Sequence, residues 1–193
     1  SQLIESETRR ANIHAHGDWA LRLAAENGHL EVVKYLVRSG ADIHAYDDDA
    51  LRRAAEKGHL EVVKCLVEYG PDIHTANDCA LKQWAAFNGR LGIVKYLGEQ
   101  GANIYAKNDK ALRVAARNGH LEIVKYLVEH GANINAKYSY ALKRAVEEGH
   151  LEIVKYLVEH CANIHSIKNM ALRHAAFNGH LEIVKYLVEH GAD

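Results

Sequence analysis

Along His120–Glu129, HLEIVKYLVE, apolar Leu121, Ile123, Val124, Leu127 and Val128 are interleaved with Glu122, Lys125 and Glu129 at helical spacing. The block returns unchanged at His150–Glu159 and His180–Glu189, and edited at His29–Arg38, His59–Glu68 and Arg90–Glu99. Its apolar positions cover most of the girth, as expected of a helix touched by neighbours on two sides. From His29 to His59, His120 to His150 and His150 to His180 the interval is 30 residues. A fixed period of this length marks units that each bury an apolar face on the next, and so one elongated array.

A second, alanine-rich pattern precedes each block. In Asp49–Glu56, Ala50, Leu51, Ala54 and Ala55 gather on one side at about 100° per residue, with Asp49, Arg52, Arg53 and Glu56 on the other. The small alanines predict a helix packed close to its partner. Asp18, Asp48, Asp78, Asp109, Ser139 and Asn169 share the column ahead of it. All are residue types that cap helix N-termini, so the first helix is expected to start just after them. It is expected to end before Gly28, Gly58, Gly89, Gly119, Gly149 and Gly179, at left-handed positions. The pattern predicts an all-α chain of helix–turn–helix repeats at 11–40, 41–70, 71–101, 102–131, 132–161 and 162–193, behind an N-terminal remnant or cap at 1–10. Repeat 71–101 carries one extra residue in its first helix near Gln83-Trp84, where a π-bulge would absorb it.

The stretch ALRRAAEKGHLEVVKCLVEYG at Ala50–Gly70, followed by Pro-Asp-Ile-His, resembles the ankyrin repeat. The resemblance implies an α-solenoid of stacked repeats with no catalytic activity. It also implies that a partner protein is gripped on the concave face by the first helices and loop tips. Two departures from the family pattern stand out. The period is 30 residues rather than about 33, which predicts short loops in place of full β-hairpins. The Thr-Pro before the first leucine is absent, and the family's histidine after that leucine is replaced by Arg22, Arg52, Lys82, Arg113, Lys143 and Arg173. This shortened form is similar to the ankyrin arrays of giant viruses of amoebae, which implies a host protein as partner and the host cytoplasm as location.

Bulk properties narrow the function classes. A net charge of −1 favours neither nucleic acid nor a membrane surface. No apolar run approaches the ~18 residues of a membrane span. Cys65, Cys79 and Cys161 occupy unrelated repeat positions, which is no disulfide framework and suits the cytoplasm or the nucleus. A starting methionine is missing and the chain stops inside the repeat motif at Gly191-Ala192-Asp193, from which a fragment of a longer protein is expected. The 14 histidines fall largely into repeat columns, where equivalent side chains lie a repeat apart rather than converging at the ~2 Å of a zinc bond. No metal site, cofactor or catalytic group is expected.

The second helices of the last three repeats are identical, whereas the outward columns of the first helices change at almost every copy. One column reads Trp19, Asp49, Cys79, Lys110, Tyr140, Met170. The next reads Leu23, Arg53, Trp84 (or Gln83, given the extra residue), Val114, Arg144, His174, and the third Glu26, Glu56, Phe87, Arg117, Glu147, Phe177. Aromatic and arginine side chains dominate interface energy. The expected partner contacts are therefore Trp19, Asp49, Arg53, Trp84, Phe87 and Lys110, then Arg117, Tyr140, Arg144, Met170, His174 and Phe177, together with the basic column. That column also has a structural reading, since Glu26, Glu56 and Glu147 follow Arg22, Arg52 and Lys143 by four residues and can pair with them.

Two other function classes compete with partner binding. The last helix keeps Leu181, Ile183, Val184, Leu187 and Val188 with no polar capping repeat after it, which would permit end-to-end self-association. A nucleic acid could follow the Arg/Lys ladder, but Asp47-Asp48-Asp49 and Glu147-Glu148 interrupt it.

Overall fold

The computed structural model describes residues 13–70, 84–100, 106–160 and 164–191. The chain divides into two compact units, Ser1–Asn77 and Asp78–Asp193, so the divide falls inside repeat 71–101. The first unit holds α1 (Trp19–Glu26), α2 (Leu30–Arg38), α3 (Ala45–Lys57) and α4 (Leu60–Tyr69). In the second, the regular helices are α5 (Leu91–Glu99), α6 (Ala106–Arg117), α7 (Leu121–Glu129), α8 (Ala136–Glu147), α9 (Leu151–Glu159), α10 (Ile164–Asn178) and α11 (Leu181–Glu189). Among the described residues there is no strand, and short turns such as 130–135 stand where hairpins would project. The chain is all-α, as its periodicity predicts.

Each unit is built in two layers. First helices of successive repeats lie side by side, α1 with α3 and α6 with α8 with α10. Second helices do the same, α2 with α4 and α5 with α7 with α9 with α11. Between the layers sit the residues expected there: Ala54, Ala55, Val62, Val63 and Leu66 in the first unit, and Leu112, Leu142, Ile123, Ile153 and Leu157 in the second. Leu51, Leu60 and Val67 are half-buried. On α2, α4, α7, α9 and α11 the first-turn glutamate meets the lysine three residues on at 2.8–3.0 Å. These exposed pairs are worth little in stability.

The glycines ending the first helices all have positive φ, as expected. The residue after each turns back onto the helix, His150 N–H donating to Ala145 O at 2.8 Å and His180 N–H to Ala175 O at 2.9 Å. The histidine column then joins the repeats. The Nε2–H of His59 donates to Glu26 O at 2.9 Å, that of His120 to Phe87 O at 2.8 Å, that of His150 to Arg117 O at 2.8 Å and that of His180 to Glu147 O at 3.0 Å. Each ring therefore satisfies a helix C-terminal carbonyl of the preceding repeat, which otherwise has no donor within its own helix. A second column, His130, His160 and His190, stacks on the tyrosine four residues earlier at 4.0–4.1 Å between ring centroids.

The capping expectation is corrected. Asp18, Asp48, Asp109 and Ser139 are themselves left-handed, with φ of 54–60°, and no side-chain cap bond forms at Asp18. Helical backbone nevertheless starts where expected, at Trp19 after Asp18 and after the non-helical Tyr46, Asp47 and Asp48 within α3; what fails is the side-chain cap. With the backbone turned this way, the carboxylates reach the loop of the next repeat. Asp18 accepts from the Asp42 N–H at 3.0 Å and Asp109 from the Asn133 N–H at 3.2 Å. At Asp18 and Asp109 the column links repeats instead of capping helices, whereas Asp48 bonds His44 and Ser139 bonds Asn135 of their own repeats. The expected π-bulge near Gln83, with Asp78, Cys79 and Lys82, lies outside the described residues.

Burial pushes the Asp109 carboxyl above its ordinary range, against the opposing pull of the Asn133 N–H and Arg113. A raised carboxyl disfavours the charged form on folding. Its contribution is therefore fullest below the unfolded value and is lost as pH rises through the folded one. Asp109→Asn keeps the acceptor and matches Asn169 in the same column. It is expected to melt higher than the natural chain at neutral pH, with the gap closing below about pH 4. A melting series across pH reads this, and a gap constant with pH would refute a charge contribution.

Candidate interaction surface

In the first unit, the outward side of α1 and α3 is occupied by an ion cluster. Asp49 is only 2% exposed and receives three guanidinium groups. Arg22 Nη1 donates to it at 3.2 Å, Arg53 Nε at 2.6 Å, and Arg52 closes on the other oxygen. Arg22, 8% exposed, lies over the rings of Trp19 (4.7 Å) and Tyr46 (4.3 Å) and also donates to His16 O at 3.0 Å. Arg53 further pairs with Glu26 and sits 5.5 Å from the Trp19 ring centroid. Two expected contact residues are thereby corrected: Asp49 and Arg22 are walled in by their neighbours, not presented outward. Arg22 and Glu26 also take different partners from the ones their four-residue spacing suggested. Among the expected contacts here, Trp19 stays exposed and Arg52 and Arg53 are half-buried.

The second unit repeats the register with different chemistry. Arg113 lies 5.3 Å and Arg144 4.7 Å from the centroid of the Tyr140 ring, so one half-buried phenol carries two guanidinium planes. Arg144 also bonds the Tyr140 hydroxyl and donates to Glu147 at 2.8 Å. Lys143 approaches Glu147 at 3.7 Å, the pair expected from its spacing, and His174 reaches the same carboxylate at 3.7 Å. Arg117 meets Glu148 of the next repeat at 3.2 Å. Lys110, Arg117 and Arg173 are exposed, while Met170 and His174 are half-buried. Trp84 (38% exposed) and Phe87 (46%) meet edge to face at 6.2 Å between centroids, and Phe177 is 89% exposed.

Part of the variation between repeats is therefore internal matching. Glu26 with Arg53 and Glu147 with His174 are both separated by 27 residues. Complementary charges at this one offset were the available signal, and reading each column separately hides it. Tyr46, which completes the stack on Arg22, and Glu148, the partner of Arg117, belong to no expected set. No group of three or more histidine, cysteine or acidic side chains among the described residues is placed to hold a metal ion.

The geometry of paired helices in two layers can be set beside known proteins. The family described as ankyrin repeats (3 copies) matches residues 21–108, 51–138 and 114–193. The chain belongs to the ankyrin-repeat family. Ankyrin repeats generally mediate protein–protein interactions, and proteins built from them are typically non-catalytic scaffolds. A search of curated proteins finds no match. Among the described residues no helix is long and apolar enough to cross a membrane. In this ankyrin chain the variable first-helix side thus comprises a mutually paired ion cluster in one unit and a basic, aromatic-edged row in the other.

Proposed function

We propose that this ankyrin chain is a non-catalytic scaffold that binds a partner protein through the outward side of its first helices and the adjoining loop tips. The observation that carries this is the exposure of Trp84, Phe87 and Phe177, large aromatics in columns that hold ions at Arg53, Arg144, Glu26, Glu56, Arg117 and Glu147. Such side chains cost apolar surface in water and dominate interfaces when covered. The 30-residue period and the Ala-Leu-Arg form support an array of the giant-amoeba-virus kind, with a host protein as partner in the host cytoplasm.

The test compares the natural chain with Trp84→Ala/Phe87→Ala as baits in amoebal lysate, with captured proteins quantified by mass spectrometry. A captured protein should be lost with the variant while the melting temperature moves by no more than about 4 °C, the shift of ~1 kcal/mol in a chain of this size. Capture that persists refutes the reading, and a collapse in melting makes these side chains scaffold.

End-to-end association has its own support. Val188 on α11 is 54% exposed where Val158 on α9 is 3% exposed, and a second copy of this chain would cover it. Light scattering over a concentration series distinguishes this reading, because it requires a mass that grows with concentration.

A further inference from the structure

We infer that the first-helix side of the second unit recognises an acidic polypeptide segment carrying an apolar residue among its carboxylates. This rests on the partner-binding reading above and specifies the partner's chemistry.

Charge in this unit is segregated by layer. The outward side of α6, α8 and α10 presents Lys110, Arg113, Arg117, Lys143, Arg144 and Arg173. Its carboxylates are Glu147 and Glu148, with Asp109 buried beneath at the start of the row. Glu147 is already shared among Arg144, Lys143 and His174, and Glu148 is engaged by Arg117. The acids therefore serve to position cations, and a net positive field remains over the row. In α7, α9 and α11 the balance reverses, each copy of LEIVKYLVE bringing two glutamates against one lysine. The near-zero net charge of the whole chain conceals this polarity.

The first unit lacks the feature. Its first-helix side carries Asp47, Asp48 and Asp49 beside Glu26 and Glu56, and its arginines converge on Asp49. The basic row is thus local to the second unit. Arg113 and Arg144 are held by the Tyr140 ring, so their planar forks are ordered before a ligand arrives. Guanidinium forks favour bidentate carboxylate partners, and ordering them beforehand lowers the entropy cost of binding. Phe177 follows Arg173 by one helical turn and stands 89% exposed, a contact for an apolar side chain beside the carboxylates. Two glutamates standing inside the row oppose an evenly charged phosphate backbone, whereas a peptide can place its acids around them.

The test is fluorescence anisotropy with the full chain and a fluorescein-labelled peptide of alternating glutamate and serine around a central phenylalanine. Two counter-probes are the same peptide with lysine for glutamate and an oligothymidylate of equal charge. The acidic peptide should bind about tenfold more tightly than either counter-probe, with affinity falling as salt rises. Lys110→Glu/Arg173→Glu, both at exposed positions, should weaken it about tenfold or more. Lys125→Glu/Lys155→Glu, the same charge change in the second-helix layer, should leave it within about twofold. No binding of the acidic peptide, equal or tighter binding of either counter-probe, or equal losses in the two variants would overturn the inference. Should it fail while capture from lysate still depends on Trp84 and Phe87, partner binding stands and only the acidic specificity is lost. Loss of that dependence with acidic-peptide binding intact removes the aromatic anchors instead.

Discussion

Asp49→Ala is expected to destabilise the first unit by about 3 kcal/mol, the lower end of what breaking a buried ion pair costs. The carboxylate is 3% exposed at its side chain and Arg22 is 10% exposed, so neither exchanges its partner for bulk water. Its removal leaves Arg22, Arg52 and Arg53 facing one another with the shared counter-charge gone. Arg53 keeps Glu26, and Arg22 keeps His16 O and the two rings, which holds the loss below the upper range. Asp49→Asn preserves shape and one acceptor but not charge, and should fall between alanine and the natural residue. Urea unfolding followed by Trp19 fluorescence in a Trp84→Phe background reports on this unit. A change below about 1 kcal/mol, the range of exposed pairs, would show that the cluster is solvated.

Gly119→Ala is expected to cost about 2–4 kcal/mol, from two sources that can be separated. Gly119 has φ of +81°, where an L side chain costs ~1–2 kcal/mol. Its added Cβ would also lie 2.8 Å from the His150 ring, which is pinned by its bond to Arg117 O. Gly179→Ala supplies the control, with φ of +75° and no atom within 4 Å of the new carbon. The second substitution should show the conformational cost alone, about 1–2 kcal/mol. Thermal or urea melts of the two variants decide it. Equal losses would mean that the histidine moves aside freely and contributes little to holding the repeats together.

Both expectations depend on contacts between repeats, and this is where sequence and structure part company. The helix pairs were legible because apolar side chains recur at helical spacing and because the chain restates the same solution six times. A glycine after each alanine-rich helix announces a left-handed ending, since other residues pay for that backbone. The positions of Asp18 and Asp109 were less legible. An aspartate ahead of a helix has the chemistry of a cap, and only coordinates show its carboxylate reaching a neighbouring loop. Lys82 and the extra residue of repeat 71–101 lie outside the described residues, so those expectations stay where the sequence leaves them.

By itself the sequence determined the class of fold, the repeat length, the alanine and valine core and the column in which variable side chains stand. These follow from spacing along one strand of chain, where periodicity and burial are the same fact. The tertiary structure alone decided which of those variable side chains are consumed by each other. Asp49 and Arg22 share their column logic with exposed Lys110 and Arg173, yet they are buried because complementary groups 27 residues apart come into contact. An ion's fate depends on what lies across the interface from it, and that distance is not written in its own repeat.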